Sequence, residues 1–124
     1  MDAAQYLFYG FGQVAYAIAM ADGKVQKEEE KKLIEIVEKQ LAPHWGDADY
    51  AEIIFQVLEH DHLTDAEWFM NEGLKNMKLG RIKLTPELKQ AFMQTAVAIA
   101  EAFPPFSEKE NKFVERFKKE IEQW

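Results

Sequence analysis

The residues whose types and spacing could do chemistry fall in two short stretches of this 124-residue chain. Asp22 and Glu29 stand seven positions apart, on either side of a short loop carrying Gly23, Lys24, Val25 and Gln26. If that loop joins two helices, the two carboxylates supply hard oxygen ligands for calcium, magnesium or manganese, and backbone carbonyls or water complete the shell. Two charges make a weak site. An EF-hand is excluded, because its loop needs carboxylates at the first, third and fifth positions and here the third is Lys24 and the fifth Gln26. The same residues also have a plain structural use. Gly23 suits the left-handed residue that ends a helix, Asp22 can accept from nearby loop amides, and Glu29 can return to the backbone at the start of the next helix.

The second stretch places His60 and His62 among Glu59, Asp61 and Asp65. Imidazole with carboxylate suits zinc, nickel or manganese, and a metal-dependent enzyme built on residues 59–65 is the alternative reading of this chain. Residues two apart on a helix point to nearly opposite faces, so His60 and His62 share a metal only if the helix ends between them. There is no His-x-x-x-His pair, and ordinary histidines at a solvated helix end satisfy the pattern equally well. His44, between Pro43 and Trp45, reads as a turn residue. Gly10-Phe11-Gly12-Gln13-Val14-Ala15 matches a dinucleotide-loop pattern, but no second strand follows at the distance such a unit needs. Its glycines are expected to let a helix pack closely on a neighbour. Ser107, the single serine, falls at a helix cap, which leaves a serine nucleophile without support.

Composition narrows the classes of function. The length suits one domain, residues 1–124, with a core burying roughly two thirds of the unfolded surface. With no cysteine there are no disulfides and no thiolate metal sites, in keeping with a reducing cytoplasm. The net charge is −7, and residues 1–62 hold 5 Lys against 12 Asp or Glu, so the acidic excess lies in the first half and disfavours nucleic acid. The densest basic group, Arg116, Lys118 and Lys119, alternates with Glu115, Glu120 and Glu122, as on a solvated helix face. Apolar runs stop well short of the ~20 residues of a membrane span, so no membrane insertion is expected.

The elements that must position these residues are helical. Leu7, Phe11, Val14, Ile18 and Ala21 form one apolar stripe on a helix from about Asp2 to Ala21; Leu33, Ile36, Val37 and Leu41 form another from about Lys27 to Leu41, closed by Pro43. Asp47 or Asp49 can cap a third helix with Ile53, Ile54, Val57 and Leu58 inward. Thr64 with Glu67 opens a fourth, which Gly80 breaks; Thr85 and Pro86 start a fifth to Ala102; and Ser107 with Glu110 opens the last. Ile82–Leu84 is at most a short extended piece. Residues 15–36 and 96–117 align at a shift of 81 with seven identities, among them Glu29 with Glu110 and Lys31 with Lys112. The expected fold is therefore all-α, a bundle of about six helices with an internally duplicated hairpin. Ala15, Ala19, Ala96 and Ala100 are expected at the closest helix approach. Any of Tyr6, Tyr9 and Tyr16 left exposed would form a surface for a protein partner or a homodimer.

The stretch Ala17–Glu29, AIAMADGKVQKEE, resembles the TerB-like family, known from tellurite-resistance proteins and from the N-terminal domain of the membrane-bound DjlA co-chaperone. The resemblance rests on Ala21, Asp22, Gly23, Val25 and Glu29. It implies a helical bundle with a duplicated hairpin, a stress-response or protein-interaction role that is not catalytic, and a divalent-cation site in the Ala21–Glu29 loop. The second loop, Phe103-Pro104-Pro105-Phe106, departs from the family's repeated Asp-Gly, and Gln26 replaces the usual Ser or Thr.

Overall fold

The computed structural model describes residues 2–21, 27–45, 65–102 and 107–124, and among them the chain forms five α-helices, one 3-10 turn and no strand. Helix α1 (Ala3–Ala19) starts where Asp2, in extended conformation, accepts the Gln5 backbone N–H at 2.9 Å while the Gln5 side chain accepts the Asp2 N–H at 2.9 Å. Two donors that a helix start leaves orphaned are thereby satisfied. Leu7, Phe11, Val14 and Ile18 are buried, as the stripe requires. The helix ends at Ala19 with Met20 as its cap, two residues earlier than Ala21; Gly23 lies outside the described residues.

Helix α2 (Lys27–Trp45) buries Leu33, Val37 and Leu41. It does not stop at Leu41. Pro43 sits inside the final turn, where a proline forfeits one hydrogen bond near an end that already frays, and exposed His44 is helical instead of a turn residue. Helix α3 (Ala66–Leu79) is capped by Asp65, one residue later than the expected Thr64, which lies outside the described residues. Gly80 ends α3, and Arg81–Lys83 make a 3-10 turn where a short extended piece was expected; only Leu84 is extended. Helix α4 (Pro86–Ala102) begins as expected, with the Thr85 hydroxyl accepting the Leu88 N–H at 3.1 Å. Helix α5 (Glu108–Glu122) starts from Ser107. The expected third helix, with Ile53, Ile54, Val57 and Leu58 inward, lies outside the described residues.

Helix α1 runs antiparallel along α3. Gly80 abuts the backbone of Ala3 and Leu7, Gly10 abuts Gly73 and Met77, and Gly73 abuts Val14. A Cβ on Gly10 would stand 2.6 Å from the Gly73 carbonyl oxygen and 2.6 Å from the Met77 amide nitrogen, so the helices meet backbone to backbone. The dinucleotide-like pattern is thus a helix-packing motif. Ala15, Ala96 and Ala100 are buried and Ala19 is half-buried, and a backbone-to-backbone contact is made by glycines of α1 and α3.

The remaining helices close over the other side of α1. Phe11 stacks on Phe92 of α4 at 4.6 Å between ring centres and tilts against Phe117 of α5 at 5.7 Å; Phe8 meets Phe92 edge-on at 5.6 Å. Helix α2 lies chiefly along α4 and touches α1 only slightly, and the Lys32 ammonium donates to the Ala102 carbonyl at 2.9 Å. That carbonyl belongs to the end of α4, where a cation offsets the negative pole of the helix. Among the described residues α1 packs chiefly on α3 and α2 chiefly on α4, with a smaller contact between α1 and α2.

Candidate functional site

The acidic loop is described only at its far side. Asp22 lies outside the described residues; Glu29 stands half-buried in the first turn of α2. Its counterpart in the shifted alignment, Glu110, holds the equivalent place in the first turn of α5. There the Ser107 hydroxyl accepts the Glu110 N–H at 3.0 Å, which is the serine half of the expected capping box. Glu110 is only 3% exposed. Glu110 is therefore an inward-facing residue of α5 whose backbone N–H is held by the Ser107 cap.

The histidine cluster is described only at its edge. Glu59, His60, Asp61 and His62 lie outside the described residues, whereas Asp65 is the N-cap of α3. One of its carboxylate oxygens accepts the Glu67 N–H at 3.0 Å and the Trp68 N–H at 3.4 Å. Among the described residues no group of three or more His, Asp or Glu side chains is placed to hold a metal ion.

The aromatic residues of α1 do not form an open patch. Tyr6, Tyr9 and Tyr16 are half-buried, and Tyr16 packs edge-on against Phe69 of α3 at 5.3 Å. Exposed large apolar side chains lie elsewhere among the described residues: Trp68 at 41%, Leu79 at 57% and Ile82 at 84%. Sequence reasoning missed the last two because it treated Gly80 only as a helix breaker. The signal available was that no Asp or Glu occurs between Glu72 and Glu87.

The concave surface described lies on α4 and α5. Two adjoining depressions of about 260 Å³ and 330 Å³ share Val97, Glu101 and Lys118; Val114 and Asn111 line the first, Met93 and Gln94 the second. Their floor is aliphatic and their rim carries both charge signs, with the Lys118 ammonium 4.0 Å from Glu115. Such a surface can bind an apolar side chain between polar contacts, and it brings together no acid, base and nucleophile. No described helix is long and apolar enough to cross a membrane.

Comparison with known proteins gives one match. A family model described as "Tellurite resistance protein TerB" matches residues 13–122, from the middle of α1 to the end of α5. No curated protein and no solved structure matches the chain.

Proposed function

Because the chain belongs to the TerB family of tellurite resistance proteins, we propose that residues 1–124 form a single non-catalytic domain of a cytoplasmic stress response, binding a protein partner or a second copy of itself. The observation that carries this reading is the open face of α4 and α5, where Met93 and Val97 lie half-buried in a groove rimmed by Glu101, Glu115 and Lys118. An aliphatic floor with a polar rim is the layout of a small protein-binding surface. Asp22 and Glu29 add a weakly held divalent cation, calcium, magnesium or manganese, which tunes that binding. Two carboxylates with water completing the shell fit a hard cation of low affinity.

The test is thermal unfolding of chelator-treated protein with calcium, magnesium, manganese or zinc added singly. A ligand of the folded state at a hundred times its dissociation constant adds about 2.7 kcal/mol. A rise in midpoint with one hard cation, abolished by Asp22→Ala, supports the cation site; no rise with any cation refutes it. Loss of a zinc response on His60→Ala would transfer the site to residues 59–65. Sedimentation velocity across a concentration series tests the second copy: association removed by Val97→Glu supports the groove, and association untouched by it refutes that placement.

A further inference from the structure

The corner between α3 and α4 has the composition of a surface made for an anionic partner. Leu79 closes α3, Gly80 turns the chain, and Arg81–Lys83 form the 3-10 turn that holds Ile82 out. Ile82 is 84% exposed and Leu79 57%, whereas Leu84, immediately after, is half-buried against the core. The residues flanking these two in the chain include Lys75, Lys78, Arg81 and Lys83, all exposed. The stretch carries four positive charges and no negative one in a chain whose net charge is −7, so every other part together is more acidic than the whole.

Ordinary structural needs account for part of this. Lys78 lies in the last turn of α3, where cations offset the helix dipole, and the Arg81 guanidinium donates to the Lys78 carbonyl at 3.0 Å. They leave Ile82 and Lys83 unexplained, since both lie past the helix end. The corner is also held in place: a Cβ on Gly80 would stand 2.2 Å from the Ala3 carbonyl oxygen, so the turn is seated against the start of α1. Asp2, the acid at that end of α1, is engaged with the Gln5 backbone.

We propose that this corner docks the protein on an anionic lipid surface, with Leu79 and Ile82 entering the headgroup region and the four cations resting on lipid phosphates. The shape favours a bilayer over a protein. A two-residue apolar tip on a convex turn is far smaller than the roughly 800 Å² per partner of a stable protein interface, whereas a membrane interface needs only a few aliphatic groups and adjacent positive charge. Basic residues near an anionic leaflet strengthen attachment about fivefold each. The acidic remainder is held off by orientation, because charges beyond about 8 Å of the surface are largely screened at physiological ionic strength. The contact is peripheral, and no helix enters the bilayer.

Co-sedimentation with vesicles tests it. The full chain is mixed with neutral phosphatidylcholine vesicles and with vesicles in which about a third of the lipid is phosphatidylglycerol. Binding is expected to the anionic vesicles alone and to weaken with added salt. Lys78→Gln with Lys83→Gln should lower it about 25-fold, and Leu79→Ser with Ile82→Ser should abolish it, while all variants stay cooperatively folded, with midpoints within a few degrees of wild type. Absence of binding to anionic vesicles at low salt overturns the proposal, as does binding that neither double variant alters. Self-association that is insensitive to vesicles and removed by Leu79→Ser with Ile82→Ser also overturns it, and assigns the corner to a second copy. None of these outcomes depends on the α4 and α5 groove or on a cation at Asp22.

Discussion

Replacing Gly10 by alanine separates helix propensity from packing, because the two act in opposite directions. In an isolated helix alanine is about 1 kcal/mol better than glycine. At Gly10 the new methyl carbon would stand 2.6 Å from two backbone atoms of α3 and 2.8 Å from the Met77 Cγ, where ordinary contact begins at 3.4 Å. A side chain can rotate away; the Gly73 carbonyl and the Met77 amide cannot. Helices α1 and α3 must therefore move apart along a seam that also holds the Gln13–Asn76 hydrogen bond at 2.7 Å and the Tyr16–Phe69 contact. Overpacking of this kind costs up to about 3 kcal/mol, which leaves a net loss of about 2 kcal/mol after the propensity gain. At this chain length the midpoint should fall by roughly 6–10 °C. Gly73→Ala should behave alike, since its Cβ would meet the Gly10 carbonyl oxygen and a Val14 methyl at 2.7 Å each. One separation of the helices accommodates both methyls, so the double variant should lose clearly less than the sum. The assay is urea unfolding followed by circular dichroism, with scanning calorimetry for the midpoints. A Gly10→Ala protein as stable as wild type, or a double variant with additive losses, would refute the backbone-to-backbone seam.

Two further substitutions probe single contacts. Asn76→Ala removes the donor to the buried Gln13 carbonyl and should cost about 1–3 kcal/mol in urea unfolding, because the acceptor is left without that bond inside the protein. Asp65→Ala should cost about 1 kcal/mol through loss of the α3 cap, and Asp65→Asn should restore most of it; equal losses in both would show that charge, not capping, is what Asp65 supplies.

Much of the fold was legible in the sequence because helix starts and apolar stripes are local signals. Asp2, Thr85 with Pro86, and Ser107 each lie at the helix starts their side chains imply. Errors arose where a local rule had a near-equivalent competitor. Thr64 and Asp65 are adjacent residues of almost equal capping ability, and the chain uses Asp65. Pro43 disfavours helix, but its cost is small in a final turn, and α2 continues. Pairing of helices was not legible, because an alanine-rich face and a glycine-rich face both permit close approach and only three-dimensional fit decides which does. Of the candidate site, Glu29 and Asp65 gained surroundings: one in the first turn of a helix, the other at a cap. The exposure of Leu79 and Ile82 was not legible because a helix break at Gly80 does not say which way the residues beside it face; the turn geometry decides that.

The seam between α1 and α3 bears on how the chain comes to be folded. Gly10 and Gly73 are the two ends of one contact, yet a ribosome adding about 5–20 residues per second delivers the second roughly 3–13 s after the first. For that interval Leu7, Phe11, Val14 and Ile18 have a helix to sit on but lack α3, α4 and α5, the described helices that pack most against it. Phe92 and Phe117, which cap the same stripe, emerge later still. The apolar stripe of α1 is thus made early and covered late among the described elements, which ties the completion of this core to the last helix of the chain.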